Sequence, residues 1–266
     1  MTRKLELATP AERAAHRKKQ VERKEFEKHE NDRIVQRVLA TVSGLAEQDF
    51  DVVVIPSGYA GTSKLPDERI RLYAEHLRKM ISEAHESPDE SSTRNHREKR
   101  LLAEEVEALF AAEPGLRDIS SRMCGMCRGG CCAAGGTNAY ITSATIQREK
   151  KRQPGLSDED LVQQYLSRLP SQTITNGCVN LTTTGCVLPT EMRSEICNGF
   201  HCETLSAWLD RPREERANAV LAIKRSGTYW ERNNLSKSHQ VVEVALVKAE
   251  SVQPLPIKVK ALRENS

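Results

Sequence analysis

Four of the eight cysteines in this chain fall within nine residues, the stretch CGMCRGGCC from Cys124 to Cys132. The other four are Cys178, Cys186, Cys197 and Cys202. What such a density of thiols does depends on the redox compartment. The opening MTRKLELATPAERAAHRKKQ is basic but holds no apolar stretch of signal-peptide length, and no apolar run in the sequence is long enough to span a bilayer. Residence in the cytoplasm is therefore expected, with no membrane partner. There thiols stay reduced, and clustered cysteines are expected to be ligands rather than bridges.

The spacing is C-x2-C-x3-C-C, then, after a gap, C-x7-C-x10-C-x4-C. Thiolates are the preferred ligands of zinc and of iron–sulfur clusters. A C-x2-C turn lets two sulfurs converge while backbone N–H groups point at them. Gly125, Gly129, Gly130, Gly135 and Gly136 suit that role, because glycine allows close backbone approach. Neighbouring side chains such as those of Cys131 and Cys132 diverge in most backbone conformations. The adjacent pair therefore suggests two metals, a polynuclear cluster, or one ligand beside one non-ligand. All eight thiols, Cys124, Cys127, Cys131, Cys132, Cys178, Cys186, Cys197 and Cys202, are candidate metal ligands. The pattern is neither a zinc ribbon nor the ferredoxin run.

The remainder of the chain reads as mostly helical. Residues 10–40 form a charged helix with sparse apolar positions, Val21, Phe26, Ile34, Val35, Val38 and Leu39, docked only at its C-terminal end. DVVVIPSGYAG is a short strand or an extended linker, since no partner strand lies nearby. Ile70, Tyr73, Leu77 and Met80 or Ile81 share one helical stripe. ESPDESSTRNHREKR has little reason to be ordered. Leu102, Val106, Leu109 and Phe110 mark a third helix, closed by Pro114 and Gly115. Helices are expected from about Thr142 and from the Ser157/Asp160 cap to Pro170. A short one is expected in ETLSAWLD. AVLAIKRSGTYWERN fits a hairpin turning at Ser226 and Gly227, followed by extended QVVEVALVKAE and PLPIKVKAL.

The expected fold class is α+β: mainly helical, with an irregular cysteine-rich metal-binding core and a small C-terminal β element. Three regions are expected. Residues 1–115 form a helical, semi-independent and partly mobile N-terminal region, 116–210 the cysteine-cluster domain, and 211–266 a small β extension packing on it. Aromatic residues make up only 4% of the chain, so the core is small for the length. The net charge of +3, with acidic residues interleaved among the basic ones, argues against a nucleic-acid partner.

The segment from Cys124 to Cys202 resembles the YkgJ-like cysteine-cluster family, whose members are described as zinc- or iron-chelating. The likeness is carried by CGMCRGGCC, AYITSATIQRE, GCVNLTTTGCVLP, RSEIC and NGFHC, which use all eight cysteines in the family's order. Ser194 stands after Arg193 where the family usually has proline. The resemblance implies a metal- or cluster-binding domain holding zinc or an iron–sulfur cluster. It is also similar to flagellin lysine N-methylase, which implies a cluster-dependent protein-modifying or redox enzyme. No Rossmann-type strand, glycine turn and helix is visible for a methyl donor. A third reading is a zinc-stabilised adaptor whose N-terminal helices bind a protein partner.

Around the thiols, His201 is read as a hydrogen-bonding or solvent-facing ring before a nitrogen ligand, since eight thiols suffice. Arg193 either neutralises thiolate charge or starts a surface ion pair. Phe200 and Trp208 are expected to wall the site from water or to serve as ordinary core. No clear His and Asp partners accompany the thiols, which weighs against a nucleophilic cysteine.

Overall fold

The computed structural model describes residues 9–42, 49–57, 61–86, 104–128, 131–226 and 240–256. The serine-rich stretch over 87–100, Leu102, Gly58, Gly129, Gly130, Gly227 and most of PLPIKVKAL lie outside the described residues.

In chain order, the first half holds α1 (Pro10–Thr41), β1 (Asp51–Pro56), β2 (Thr62–Lys64) and α2 (Asp67–Glu86). Residues 104–112 form α3, and α4 follows as Pro114–Cys127. Next come α5 (Ser143–Arg152), α6 (Asp158–Leu166), β3 (Gln172–Ile174), β4 (Leu181–Thr182) and β5 (Gly185–Cys186). The last elements are α7 (Glu195–Gly199), α8 (Glu203–Leu209), β6 (Ala219–Arg225), β7 (Val241–Lys248) and β8 (Val252–Pro254). Helix and sheet are mixed, and helices predominate among the described residues.

Local chemistry explains most helix starts. Thr9 caps α1 by accepting from the Glu12 N–H at 3.3 Å, while the Glu12 carboxylate accepts from the Thr9 N–H at 2.7 Å. Thr142 caps α5 through the Thr145 N–H, and Ser157 caps α6 through the Asp160 N–H at 3.1 Å. Helix α6 stops at Leu166, short of Pro170, since the residue before a proline is biased away from helix. Helix α3 ends at residue 112, ahead of Pro114 as expected, and the proline also opens the next helix. It occupies the first helical position of α4, where its missing N–H costs nothing.

The main sheet has the strand order β1-β6-β7-β8. Strand β1 is no linker: it runs parallel to β6, with Asp51 opposite Val220 and Pro56 opposite Arg225. β6 pairs antiparallel with β7, Ser226 donating its N–H to the Gln240 carbonyl at 2.9 Å. The partner of β6 is therefore drawn from QVVEVALVK; TYWERN of the expected hairpin lies outside the described residues. Successive side chains on a strand point to opposite faces. Val53 and Ile55 accordingly join a core with Met123, Leu205 and Trp208, whereas Val54 joins Ile34 and Val38 of α1 on the other side. Helix α1 docks there through its C-terminal half, where Arg225 of β6 also holds Glu27 and Asn31, and Val21 and Phe26 remain exposed.

A third core gathers Tyr73, Leu77 and Ile81 of α2, Ile146 of α5, and Leu161 and Tyr165 of α6. The apolar stripe of α2 is thus spent on intramolecular packing. Residues from the regions expected at 1–115, 116–210 and 211–266 meet in one core. Val53 and Phe110 from the first share one cluster with Met123 and Cys202 from the second and Val220 and Val247 from the third. A parallel pairing between distant strands leaves no local mark that would have revealed this.

Candidate thiol site

Helix α4 carries the first two thiols. Cys124 and Cys127 are three residues apart in its last turn and so share a face, where a non-helical knuckle was expected. The helix ends at Arg128, which adopts the left-handed conformation (φ 55°, ψ 41°). Gly125 between them is needed for close approach: a Cβ there would lie 2.6 Å from the Thr184 carbonyl oxygen. The β4–β5 hairpin therefore rests directly on α4 and brings Cys186 with it. Cys131 precedes a single 3-10 turn, Cys132–Gly135, after which Gly136 takes a positive φ of 48°.

Cys124, Cys127, Cys131, Cys132 and Cys202 line one cavity of about 20 Å³. That volume is enough for roughly one water-sized body. Its remaining walls are Ile55 of β1, Met123 of α4 and Leu205 of α8. Neither expected wall lines the cavity. Phe200 is exposed, and Trp208 is buried in the same core as Ile55, Met123 and Leu205, with its Nε1–H donated to Asp51 at 2.8 Å. The wall residues escaped notice because each comes from a different element and none has a sequence signature beyond being apolar. His201 is absent from the cavity lining; its ring packs edge-on against Phe110, with centroids 6.0 Å apart.

The other thiols lie toward the α2–α5–α6 core. Cys178 is buried in that core, and Cys132 and Cys186 pack against it. A Cβ on Gly135 would meet the Cys178 Sγ at 3.4 Å. Cys197 sits in α7, with its Sγ 3.9 Å from the carbonyl of Ala139, a member of the same core. Ser194, the departure from the family pattern, caps α7: its Oγ accepts from the Cys197 N–H at 3.3 Å and lies 3.2 Å from the Cys197 Sγ, to which it donates. A serine ahead of a short helix is a recognisable cap signal. Arg148 of α5 holds this segment through the Glu195 carboxylate and the Arg193 carbonyl. Arg69 of α2 holds the Cys178 loop by donating to the Gly177 carbonyl at 2.7 Å.

Electrostatics confirm that these sulfurs are neighbours. Burial pushes the Cys131 thiol up to about 12, and the nearby Cys127 and Cys202 push it the same way; its own N–H and that of Cys132 pull down. Burial likewise raises Cys124, followed by the charges of Cys202, Cys131 and Cys127, with Arg193 opposing. Cys178 is pushed up to about 12 by burial, against an N–H bond from Asn180, while Cys186 and Cys197 add to the rise. Cys197 is raised by burial, with the Ser194 hydroxyl pulling down, Cys186 pushing up and Arg193 opposing. Cys132, raised by burial, also feels Cys124, Cys131, Cys197 and Cys186. Cys124 and Cys197 present accessible surface, yet burial remains the leading cause of their rise. Their sulfurs lie among other thiols, and that crowding governs their chemistry more than the surface they expose.

Cations also face this cluster, among them Arg69 beside Cys178. Arg193, whose Nε donates to the Leu188 carbonyl at 2.8 Å, favours the thiolate forms of Cys124 and Cys197, the first of the two roles considered for it. Lys224 was not anticipated. Its side chain is 3% exposed and pairs with Glu243 at 3.6 Å. Burial and the neighbouring Arg128 lower its pKa, while Glu243 and Cys127 raise it. A lysine within the apolar alternation of AVLAIKR is the one sequence hint of a buried charge.

All eight cysteines are free thiols. Among the described residues, no three His, Cys, Asp or Glu side chains meet with the spacing of a formed metal site. The cavity is lined by thiols without converging on a point. By donor chemistry the residues fit a thiophilic metal: soft sulfurs, apolar walls, N–H donors to sulfur and no carboxylate in the lining. No protein-family model, curated protein or solved structure matches the chain.

Proposed function

We propose that this chain is a metal-binding protein that holds zinc or an iron–sulfur cluster through its eight cysteines, in keeping with the YkgJ-like cysteine pattern. The observation that carries the reading is the cavity whose wall consists of five thiols and three apolar side chains. Buried cysteine also packs as a small apolar residue, but five around one cavity supply soft sulfur donors at ligand density. A bound cation reverses the unfavourable balance of burial and mutual repulsion that raises Cys124, Cys131 and Cys132. Cysteine binds metal as thiolate, so binding must release protons and draw the sulfurs together. The metal then contributes directly to folding; structural zinc in small domains is worth about 10–16 kcal/mol.

Neither of the two other readings gains an observation among the described residues. A cluster-dependent enzyme calls for a pocket beside Cys131 and Cys132 lined by polar groups, but the cavity there is small and lined by thiols and aliphatic groups. An adaptor calls for an exposed apolar stripe along residues 70–81, and Tyr73, Leu77, Met80 and Ile81 are buried. Among the described residues no helix is long and apolar enough to cross a membrane.

The deciding experiment is elemental analysis with a visible spectrum on the chain purified without oxygen. Bound zinc, or iron with matching sulfide and visible colour, supports the reading. A chain that carries no metal, takes none up after reduction and melts at the same temperature with or without a chelator overturns it.

A further inference from the structure

Resting on the metal-binding reading, we infer that the eight thiols form two separate four-thiol sites that share a wall at the Cys131–Cys132 pair. Cys124, Cys127, Cys131 and Cys202 make one site, and Cys132, Cys178, Cys186 and Cys197 make the other.

The division follows the packing. The first set opens on the cavity walled by Ile55, Met123 and Leu205, and all three of these belong to the core between the sheet and α4 and α8. Cys202 belongs to the same core. The second set belongs to the α2–α5–α6 core: Cys178 lies within it, Cys132 and Cys186 pack against it, and the Cys197 Sγ approaches Ala139 of that core. No element carries thiols of both sets, because α4 ends at Cys127 and Cys132 opens the next turn.

Only Cys132 both lines the first cavity and packs against the second core. Adjacent side chains point apart, so one dipeptide can serve two metal centres where it could not easily give both sulfurs to one. Four sulfurs per site complete a tetrahedral zinc or a four-cysteine iron–sulfur cluster. The second site closes around thiols that arrive from sequence-distant segments, which ties the β4–β5 hairpin and α7 to α4.

The test uses the full chain and the two cysteines with accessible surface, whose replacement disturbs packing least. Zinc, iron and sulfide per chain are measured for the native protein and for Cys124→Ser and Cys197→Ser. Each variant should keep about half of the metal, and the double variant none. If either single substitution empties the chain, or both leave the same shared centre altered but occupied, the two-site inference is overturned. A native chain that binds no metal overturns the underlying reading instead. Should a variant fail to fold, titration of the reduced, metal-stripped native chain with cobalt(II) decides. Two successive equivalents, each with the absorption of a four-thiolate tetrahedral site, are expected. Saturation at one equivalent overturns the inference.

Discussion

Gly125 and Thr184 touch: a Cβ added to Gly125 would sit 2.6 Å from the Thr184 carbonyl oxygen. This contact sets the distance between α4, with Cys124 and Cys127, and the hairpin that carries Cys186. Gly125→Ala gains up to about 1 kcal/mol of helix propensity. It also forces a methyl group into a backbone atom that cannot rotate away, and such overpacking costs about 1–3 kcal/mol. The clash should prevail. Urea denaturation should show a net loss of stability, and metal content should fall. Unchanged stability would mean that the hairpin moves freely.

Asp51 is the joint between the parallel strand and the region after the cysteines. Its buried carboxylate accepts from Trp208 Nε1–H at 2.8 Å and from the Ala217 N–H at 3.0 Å, and it pairs with Arg211. Asp51→Ala strips two N–H groups of their acceptor, which should cost about 2–4 kcal/mol in total. Trp208 is one of the chain's two tryptophans, and its fluorescence should shift as its partner is lost. Asp51→Asn, which keeps an acceptor oxygen, should cost less.

The raised thiols make the metal-free protein sensitive to alkali. Cys131 and Cys178 move from 9.0 in the unfolded chain to about 12 in the folded one. Below pH 9 both states hold the proton and the full stability is present. As pH rises from 9 toward 12 the unfolded state ionises first, so stability is progressively lost. Thermal melts of the reduced, metal-free chain should therefore fall across that window. The metal-loaded protein, whose thiolates are already ionised, should hold its melting temperature there. Equal slopes in the two forms would contradict the assignment of these thiols as ligands.

Ser194 should matter twice. Ser194→Ala removes the cap of α7, worth about 1 kcal/mol, and the hydroxyl that lowers the pKa of Cys197. In the metal-free protein Cys197 should then be less ionised, and its alkylation near pH 8 should slow. A stability loss with an unchanged alkylation rate would leave Ser194 a cap alone.

Much of this molecule was legible residue by residue. The Thr142 and Ser157 caps and the Tyr73–Ile81 stripe act over three or four residues of one helix, and sequence displays that range directly. The thiol set was legible too, because no other side chain offers soft sulfur ligands at that density. Other features were settled only by the tertiary fold. Asp51 pairs with Val220 across a parallel register, Ile55, Met123 and Leu205 meet around the sulfurs, and Lys224 is buried. So too is the position of Cys132, which lines the cavity and packs against the α2–α5–α6 core. The sequence determined which groups could bind and which segments coil. Which thiols face each other depends on packing between segments far apart in the chain, where burial of apolar surface carries no local periodicity to read.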